Sequence, residues 1–296
     1  MEHEPSAGRW RSTIWSTWVV GALLLLSFAS GATYLLVVAG SALVLTLVPG
    51  ALPHVVREPG GRDLAAVIGM YAAVVTLFRL AFVGFSEDHV VGLFLAFATG
   101  LLVGVAGPVW WTVWVRGRPL ADLGLRRDNL PRAAALALLF GGVQFALTLW
   151  GYDLPAPVDW VPLLGMALVV GVFESVFFRG FVQGRLEERL GTAPGIAAAA
   201  ALYGLYHVGY GMGVADIAFL TGLGVVYAVA YAVARNLVVL WPLLTPLGSF
   251  YANVEAGDIE LPWASLAGFG DVLALMVLAF VLAVRHRRKV RAPTEV

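Results

Sequence analysis

One feature constrains this chain more than any other: apolar runs long enough to cross a bilayer recur from end to end. A helical crossing needs about 20 such residues. The runs lie near 13–30, 33–53, 64–85, 90–115, 133–151, 160–184, 194–210, 214–234, 237–253 and 263–284. In lipid a segment must satisfy its own backbone polar groups. Ten runs of this kind therefore point to an all-α, polytopic membrane helix bundle of about ten transmembrane helices. Composition agrees: 60% of the 296 residues are hydrophobic and 13% charged, against about 25% charged in a soluble domain. That excludes an ordinary soluble enzyme, a disordered chain and a nucleic-acid binder. There is no cysteine, which excludes disulfides, thiolate zinc sites and thiol catalysis.

Charge placement tests the count. Of the 19 lysines and arginines, all but Arg79 and Arg179 fall in the tails and in alternate loops. The opposite loops carry Glu87, Asp88, Asp153, Asp159, Glu255, Asp258 and Glu260 instead. A wrong count would scramble this separation. By the positive-inside rule both termini are cytoplasmic. The strong preference for arginine over lysine fits a prokaryote, and with it a multi-pass protein of the plasma membrane. Ala29-Ser30-Gly31 resembles a signal-peptidase site, but Glu2 and Glu4 weaken the preceding basic segment, so the first run is read as an uncleaved span. No soluble domain is present; the longest polar stretch is 116–132. The organisation reads as N-terminal membrane helices (1–119), a core of five spans (120–253), and a last helix with a basic tail (254–296). Neither GxxxxGK[ST] nor GxGxxG occurs, which argues against ATP-driven chemistry. No internal repeat is evident, which argues against an inverted-repeat transporter.

Ionisable groups inside a membrane are costly and are the first functional candidates. Arg79 lies near the outer end of its span and is expected to snorkel toward Glu87 or Asp88. Asp271 lies in the last span, Glu174 and Arg179 in the sixth, His207 in the seventh. Glu174 stands 16 positions before Leu190, and His207 stands 16 after Gly191. In an antiparallel hairpin both then lie about 24 Å from the turn, at one level. A carboxylate and an imidazole at one level can hold and deprotonate a water, which is general-base hydrolysis. Spacing alone equally allows a Glu–His hydrogen bond that pins two helices.

The neighbouring residues carry a resemblance. Glu174-Ser175-Val176-Phe177-Phe178-Arg179-Gly180 resembles the EExxxRG motif of the CAAX-protease and bacteriocin-processing (CPBP, or ABI) membrane family. Tyr203-Gly204-Leu205-Tyr206-His207 resembles its FxxxH motif, with Tyr203 for Phe. Leu123–Arg127 resembles its lead-in loop, and the stretch through Arg235-Asn236 and Leu240-Trp241-Pro242 resembles the approach to its HxxxN motif. The likeness spans about 120–253. It implies an intramembrane endopeptidase in which Glu174 and His207 activate water for peptide hydrolysis. The family's oxyanion donors, His and Asn, fall on Thr245 and Ser249 here. Its second Glu is Ser175, which at i, i+4 shares a helix face with Arg179 and leaves that arginine in need of another acceptor. Arg179, Ser175, Thr245, Ser249 and Tyr203 are thus the expected supporting or oxyanion residues, with Asn253 a further donor. Pro242 and Pro246 kink the helix that bears them.

No cofactor is expected. The family was long called metalloprotease, but a catalytic zinc needs about three protein ligands, and one His with one Glu falls short. The expected partners are a membrane-associated peptide or protein and the bilayer. Three rivals stay open. A catalytically impaired relative serving as a binding or immunity factor would explain Ser175 and Thr245. Gly268-Phe269-Gly270-Asp271 with Tyr152-Asp153 matches the GxGD and YD pair of aspartyl intramembrane proteases, though Asp153 is at a span end. A transport path could use Arg79, Glu174 and Asp271. Rhomboid chemistry lacks its GxSG serine. Trp110, Trp111 and Trp114 read as an interfacial belt.

Overall fold

A computed structural model describes residues 6–52, 55, 61–86, 89–150, 156, 158, 160–240, 263 and 265–291. Among them are helices and turns and no strand. The chain runs through α1 (Ser6–Leu25) and α2 (Gly31–Thr46) into α3 (Gly61–Phe78), which widens to a π-helix over Arg79–Phe85. Next come α4 (Val90–Ala98, continued by π- and α-helical turns to Val115) and α5 (Leu130–Thr148). The sixth, α6, is α-helical over Trp160–Glu174, π-helical over Ser175–Gln183 and α-helical again over Gly184–Leu190. The bundle continues with α7 (Thr192–Leu205, unwinding into a 3-10 turn over Tyr206–Tyr210), α8 (Val214–Ala234) and α9 (Ser265–Arg291).

Local chemistry sets the ends. Ser30 caps α2 by accepting the Thr33 N–H at 3.4 Å, and Pro131 stands in the first turn of α5, where a missing N–H is harmless. Gly191, at φ +94°, turns α6 into α7 with a backbone that a side chain would oppose. Asp216 accepts the Gly213 N–H at 3.3 Å to open α8, and Arg235 closes it in the left-handed conformation.

Among the described residues six segments are long and apolar enough to cross a membrane: Gly61–Phe85, Val90–Val115, Leu130–Thr148, Trp160–Leu190, Val214–Ala234 and Ser265–Val290. The ten-span expectation is met only so far. α2 is apolar but has 16 residues, and α7 has 14 before it tightens into the 3-10 turn. α1 begins with a polar turn, Ser6-Ala7-Gly8-Arg9. Most of the run 237–253 lies outside the described residues.

The core is built on α6 and α8. Glu174 through Gln183 is buried without a break, as is Gly222 through Ala232. Glycines let backbones approach where a side chain could not. A Cβ on Gly204 of α7 would stand 1.9 Å from Thr221 Oγ1 of α8, and one on Gly104 of α4 would stand 2.2 Å from the Phe173 ring of α6. α2 meets α8 where Gly222 faces Tyr34, α9 meets α6 where Gly165 faces Phe269, and α3 meets the 3-10 turn where Gly209 faces Phe78. Helices from the first 119 residues therefore pack directly on α6, α7 and α8. The outer faces carry large exposed apolar side chains such as Phe28, Leu36, Phe94 and Val214, suited to lipid.

The arginine-bearing loops gather at one end of the bundle. Arg118 meets Glu188 at 2.9 Å and Asp122 at 3.4 Å, and Arg185 meets Glu188 at 2.8 Å. Arg235 meets Glu187 at 2.5 Å. Arg287 donates to the Gly117 carbonyl and Arg132 to Ser12 Oγ. The lead-in loop is stitched there too: Leu237 N–H donates to the Gly124 carbonyl at 3.0 Å, and Asn236 Nδ2 donates to the Arg126 carbonyl at 3.0 Å and to Asn129 Oδ1 at 2.8 Å. At this end Trp111 is not simply an interfacial ring. Its Nε1–H donates to Asp63 Oδ1 at 2.8 Å, and Arg116 meets Asp63 at 3.2 Å.

Candidate active site

Glu174 is the last residue of the α-helical part of α6, and the π-helix starts immediately after it. The wide turn has local reasons. Ser175 Oγ donates back to the Gly171 carbonyl at 2.5 Å. Gly180 lets the Leu123 carbonyl come in so close that a Cβ would meet it at 2.6 Å. Such π segments close i→i+5 rather than i→i+4 and recur at functional sites. The consequence reaches Arg179. An α-helical register places Arg179 over Ser175; here Ser175 is spent on its own helix, and the five-residue turn swings Arg179 toward the side of Glu174.

Two tyrosines from α7 and its 3-10 turn complete the arrangement. Tyr203 OH donates to Glu174 Oε2 at 3.2 Å, and Tyr206 OH donates to Glu174 Oε1. The Tyr203 ring also lies beneath the Arg179 guanidinium, its centroid 4.8 Å from Cζ. Tyr227 of α8 flanks the same cation at 5.9 Å, and Gln144 Nε2 of α5 donates to the Tyr227 hydroxyl at 2.7 Å. His207 Nδ1 lies 3.0 Å from the Tyr203 carbonyl. A carbonyl only accepts, so Nδ1 carries a proton, and in the neutral ring Nε2 keeps a lone pair. The His207 ring is 4.0 Å from the Tyr206 ring, centroid to centroid, and 5.3 Å from that of Tyr203. Tyr203 and Tyr206 thus touch both Glu174 and His207.

The site is sealed: Glu174 is 5% exposed, His207 7% and Arg179 0%. None of the three Arg179 guanidinium nitrogens has a hydrogen-bond partner. The other acceptor that Arg179 was expected to need is therefore not found among the described residues. Aromatic faces meet it instead, and cation–π attraction strengthens where water is excluded. Thr245, Ser249 and Asn253 lie outside the described residues. So do Glu87, Asp88 and Asp153; Asp271 is exposed on α9. Arg79 reaches the 3-10 turn, donating to the Val208 carbonyl at 3.1 Å next to His207. Among the described residues no three of His, Cys, Asp and Glu come together, so the donor set there is smaller than a catalytic zinc requires.

Sequence reasoning missed Tyr206, Tyr227 and Gln144. Tyr206 carried a signal: it lies at i+3 from Tyr203, on the same helix face, beside the one intramembrane histidine. Gln144, polar and buried in an apolar helix, carried one as well. Tyr227 carried none, being one more aromatic in an apolar run.

Fold and buried polar cluster together define a multi-pass helical membrane protein with an acid, a histidine and an arginine enclosed in its core. Residues 155–243 match the family model described as Type II CAAX prenyl endopeptidase Rce1-like. The match spans α6, α7 and α8, carries Glu174, Arg179, Tyr203 and His207, and bears out the resemblance read from the motifs. Comparisons with curated proteins and with solved structures give no match.

Proposed function

We propose that this protein is a CAAX-type intramembrane endopeptidase that hydrolyses a peptide bond of a membrane-associated substrate. Glu174 takes a proton from a bound water, and the resulting hydroxide attacks the scissile carbonyl. His207, with its Nε2 lone pair free, orients that water and relays the proton to the leaving amine. Thr245 and Ser249 supply neutral hydroxyl donors to the oxyanion. No metal or other cofactor is required in this scheme. The chain spans the plasma membrane of a prokaryote ten times, with the arginine-rich end and both termini in the cytoplasm, and residues 120–253 form the proteolytic core.

What supports the reading is one convergence: in the stretch that matches the endopeptidase family, Glu174 and His207 rest on the same two tyrosines. An acid and a base held by shared neighbours are pre-positioned, which is where most of the gain from general-base chemistry arises. The test is a peptidase assay in liposomes with wild type, Glu174→Ala and Thr245→His. The expected result is hydrolysis abolished by the first change and raised by the second, since an imidazole is a better oxyanion donor than a hydroxyl. If wild type and Glu174→Ala are indistinguishable on every membrane peptide tried, the protein is a non-catalytic member.

A further inference from the structure

We infer that Arg179 is a catalytic residue whose guanidinium takes the oxyanion of the tetrahedral intermediate; this deepens, and rests on, the endopeptidase reading. A fully buried guanidinium with five N–H donors normally finds carboxylates or carbonyls, because it cannot shed its charge. Arg179 is 0% exposed, yet among the described residues no nitrogen of it meets an acceptor, Glu174 included. Burial of a cation whose N–H groups meet no acceptor is costly enough to need a cause, and the tyrosine faces offset only part of that cost. A cause that lies in the resting fold would leave Arg179 paired. A cause that lies in the reaction leaves it waiting for a negative charge that forms only there.

Position says which charge. A general base and an oxyanion donor must flank one carbonyl, each about 3 Å from the reacting atoms. Tyr203 carries both groups: its hydroxyl bonds Glu174 and its ring face supports Arg179 at 4.8 Å. The aromatic face holds the cation in place while using none of its N–H bonds. Arg179 and Glu174 also sit five apart across the start of the π-helix, the spacing that one such turn stacks. The neutral hydroxyls at 245 and 249 offer no formal charge to the oxyanion; Arg179 does.

The step balances as a hydrolysis. Water gives a proton to the Glu174 carboxylate, and its oxygen bonds to the carbonyl carbon. The C=O π pair moves to oxygen, which becomes the anion that Arg179 meets with N–H donors. The pair returns, the C–N bond breaks, and the amine leaves with the proton from Glu174. A carboxylic acid and an amine result, and no electron is gained or lost.

The experiment measures kcat and KM in liposomes for wild type, Glu174→Ala, Arg179→Gln and Arg179→Lys, with thermal unfolding of each in detergent. The expected result is a kcat for Arg179→Gln lower by about 10²–10³, the usual effect of removing an oxyanion donor, with KM nearly unchanged and partial recovery in Arg179→Lys. A second measurement needs no turnover. A peptide phosphinate, which mimics the tetrahedral anion, binds the Glu174→Ala protein more tightly than its parent amide peptide does, and adding Arg179→Lys or Arg179→Gln shrinks that preference. Glu174-dependent hydrolysis with kcat intact in Arg179→Gln overturns this inference alone. So does a loss confined to KM, which marks binding of a permanent substrate carboxylate. So does a kcat loss explained by unfolding, with the phosphinate preference intact in Arg179→Lys. Absence of both Glu174-dependent hydrolysis and phosphinate preference overturns the endopeptidase reading and this inference with it.

Discussion

Gly204→Ala tests the packing that sets the site. Gly204 lies between Tyr203 and Tyr206, on the face of α7 that meets α8. An added Cβ would stand 1.9 Å from Thr221 Oγ1, 2.7 Å from the Ile217 carbonyl oxygen and 2.9 Å from Thr221 N. Two of those atoms are backbone, and the third is tied down because Thr221 Oγ1 donates to the Ile217 carbonyl at 2.8 Å. Relief requires the two helices to part. Overpacking of this kind costs about 1–3 kcal/mol, and rigid backbone neighbours place this case near the upper end. Against it stands a gain of about 1 kcal/mol from replacing glycine with alanine inside a helix. The net expectation is destabilisation by about 2 kcal/mol, with Tyr203, Tyr206 and His207 all displaced from Glu174. Gly270→Ala on α9 is the control, since its Cβ would meet nothing within 4 Å. Thermal unfolding in detergent, followed by tryptophan fluorescence, should show Gly204→Ala melting well below wild type and Gly270→Ala at or above it. Peptidase activity should fall further than stability does in Gly204→Ala. Equal melting of the two variants would refute the reasoning.

Tyr206→Phe removes a donor from a buried Glu174 oxygen and should cost about 1–3 kcal/mol, read as a lowered unfolding midpoint with a reduced peptidase rate. Glu187→Ala should destabilise by about 3–5 kcal/mol, because it strips a buried partner from Arg235 at 2.5 Å and from Gln183 at 2.7 Å; Glu187→Ala with Arg235→Ala should recover part of that loss. In the exposed loop, a side-chain hydrogen bond from Arg126 at 2.8 Å holds the Asp128 carboxyl below its ordinary range. A lowered folded-state value means that the pair contributes at neutral pH and is lost on acidification through that value. Arg126→Gln should therefore return the Asp128 titration, followed by NMR, to ordinary carboxylate behaviour, with no measurable change in melting.

The hairpin of α6 and α7 was legible in the sequence because counting from a turn needs only the rise of a helix. Glu174 and His207 do arrive beside the same side chains. The π-helix was not legible. It depends on Ser175 bonding backward and on the Leu123 carbonyl pressing against Gly180, and neither contact can be read from spacing within α6. For that reason the i, i+4 reading sent Arg179 to Ser175, while the wide turn sent it to Tyr203. The span count is met by six segments among the described residues, and the shortfall has a related reason. Hydropathy registers that a run is apolar but not that it unwinds, as α7 does at Tyr206 where the 3-10 turn presents His207. The lead-in loop was recognisable by motif, yet its role as a brace, with Asn129 and Asn236 bonded to each other across α5 and α8, appears only in three dimensions.

The charges sealed inside α6 also bear on how the protein is made. A charged residue at mid-span adds about 2.5–3.5 kcal/mol to the insertion of a helix, and each Leu, Val or Phe returns about 0.3–0.6. About a dozen such apolar residues in α6 supply roughly 4–8 kcal/mol, which the pair Glu174 and Arg179 nearly cancels at about 5–7. Alone, α6 is close to indifferent between the insertion channel and lipid. The hydroxyl and ring of Tyr203, which arrive only with the next helix, are what settle the balance. Helices α6 and α7 should therefore leave the channel as a pair: α6 translated without α7 should be removed by a membrane extraction, and α6 followed by α7 should not.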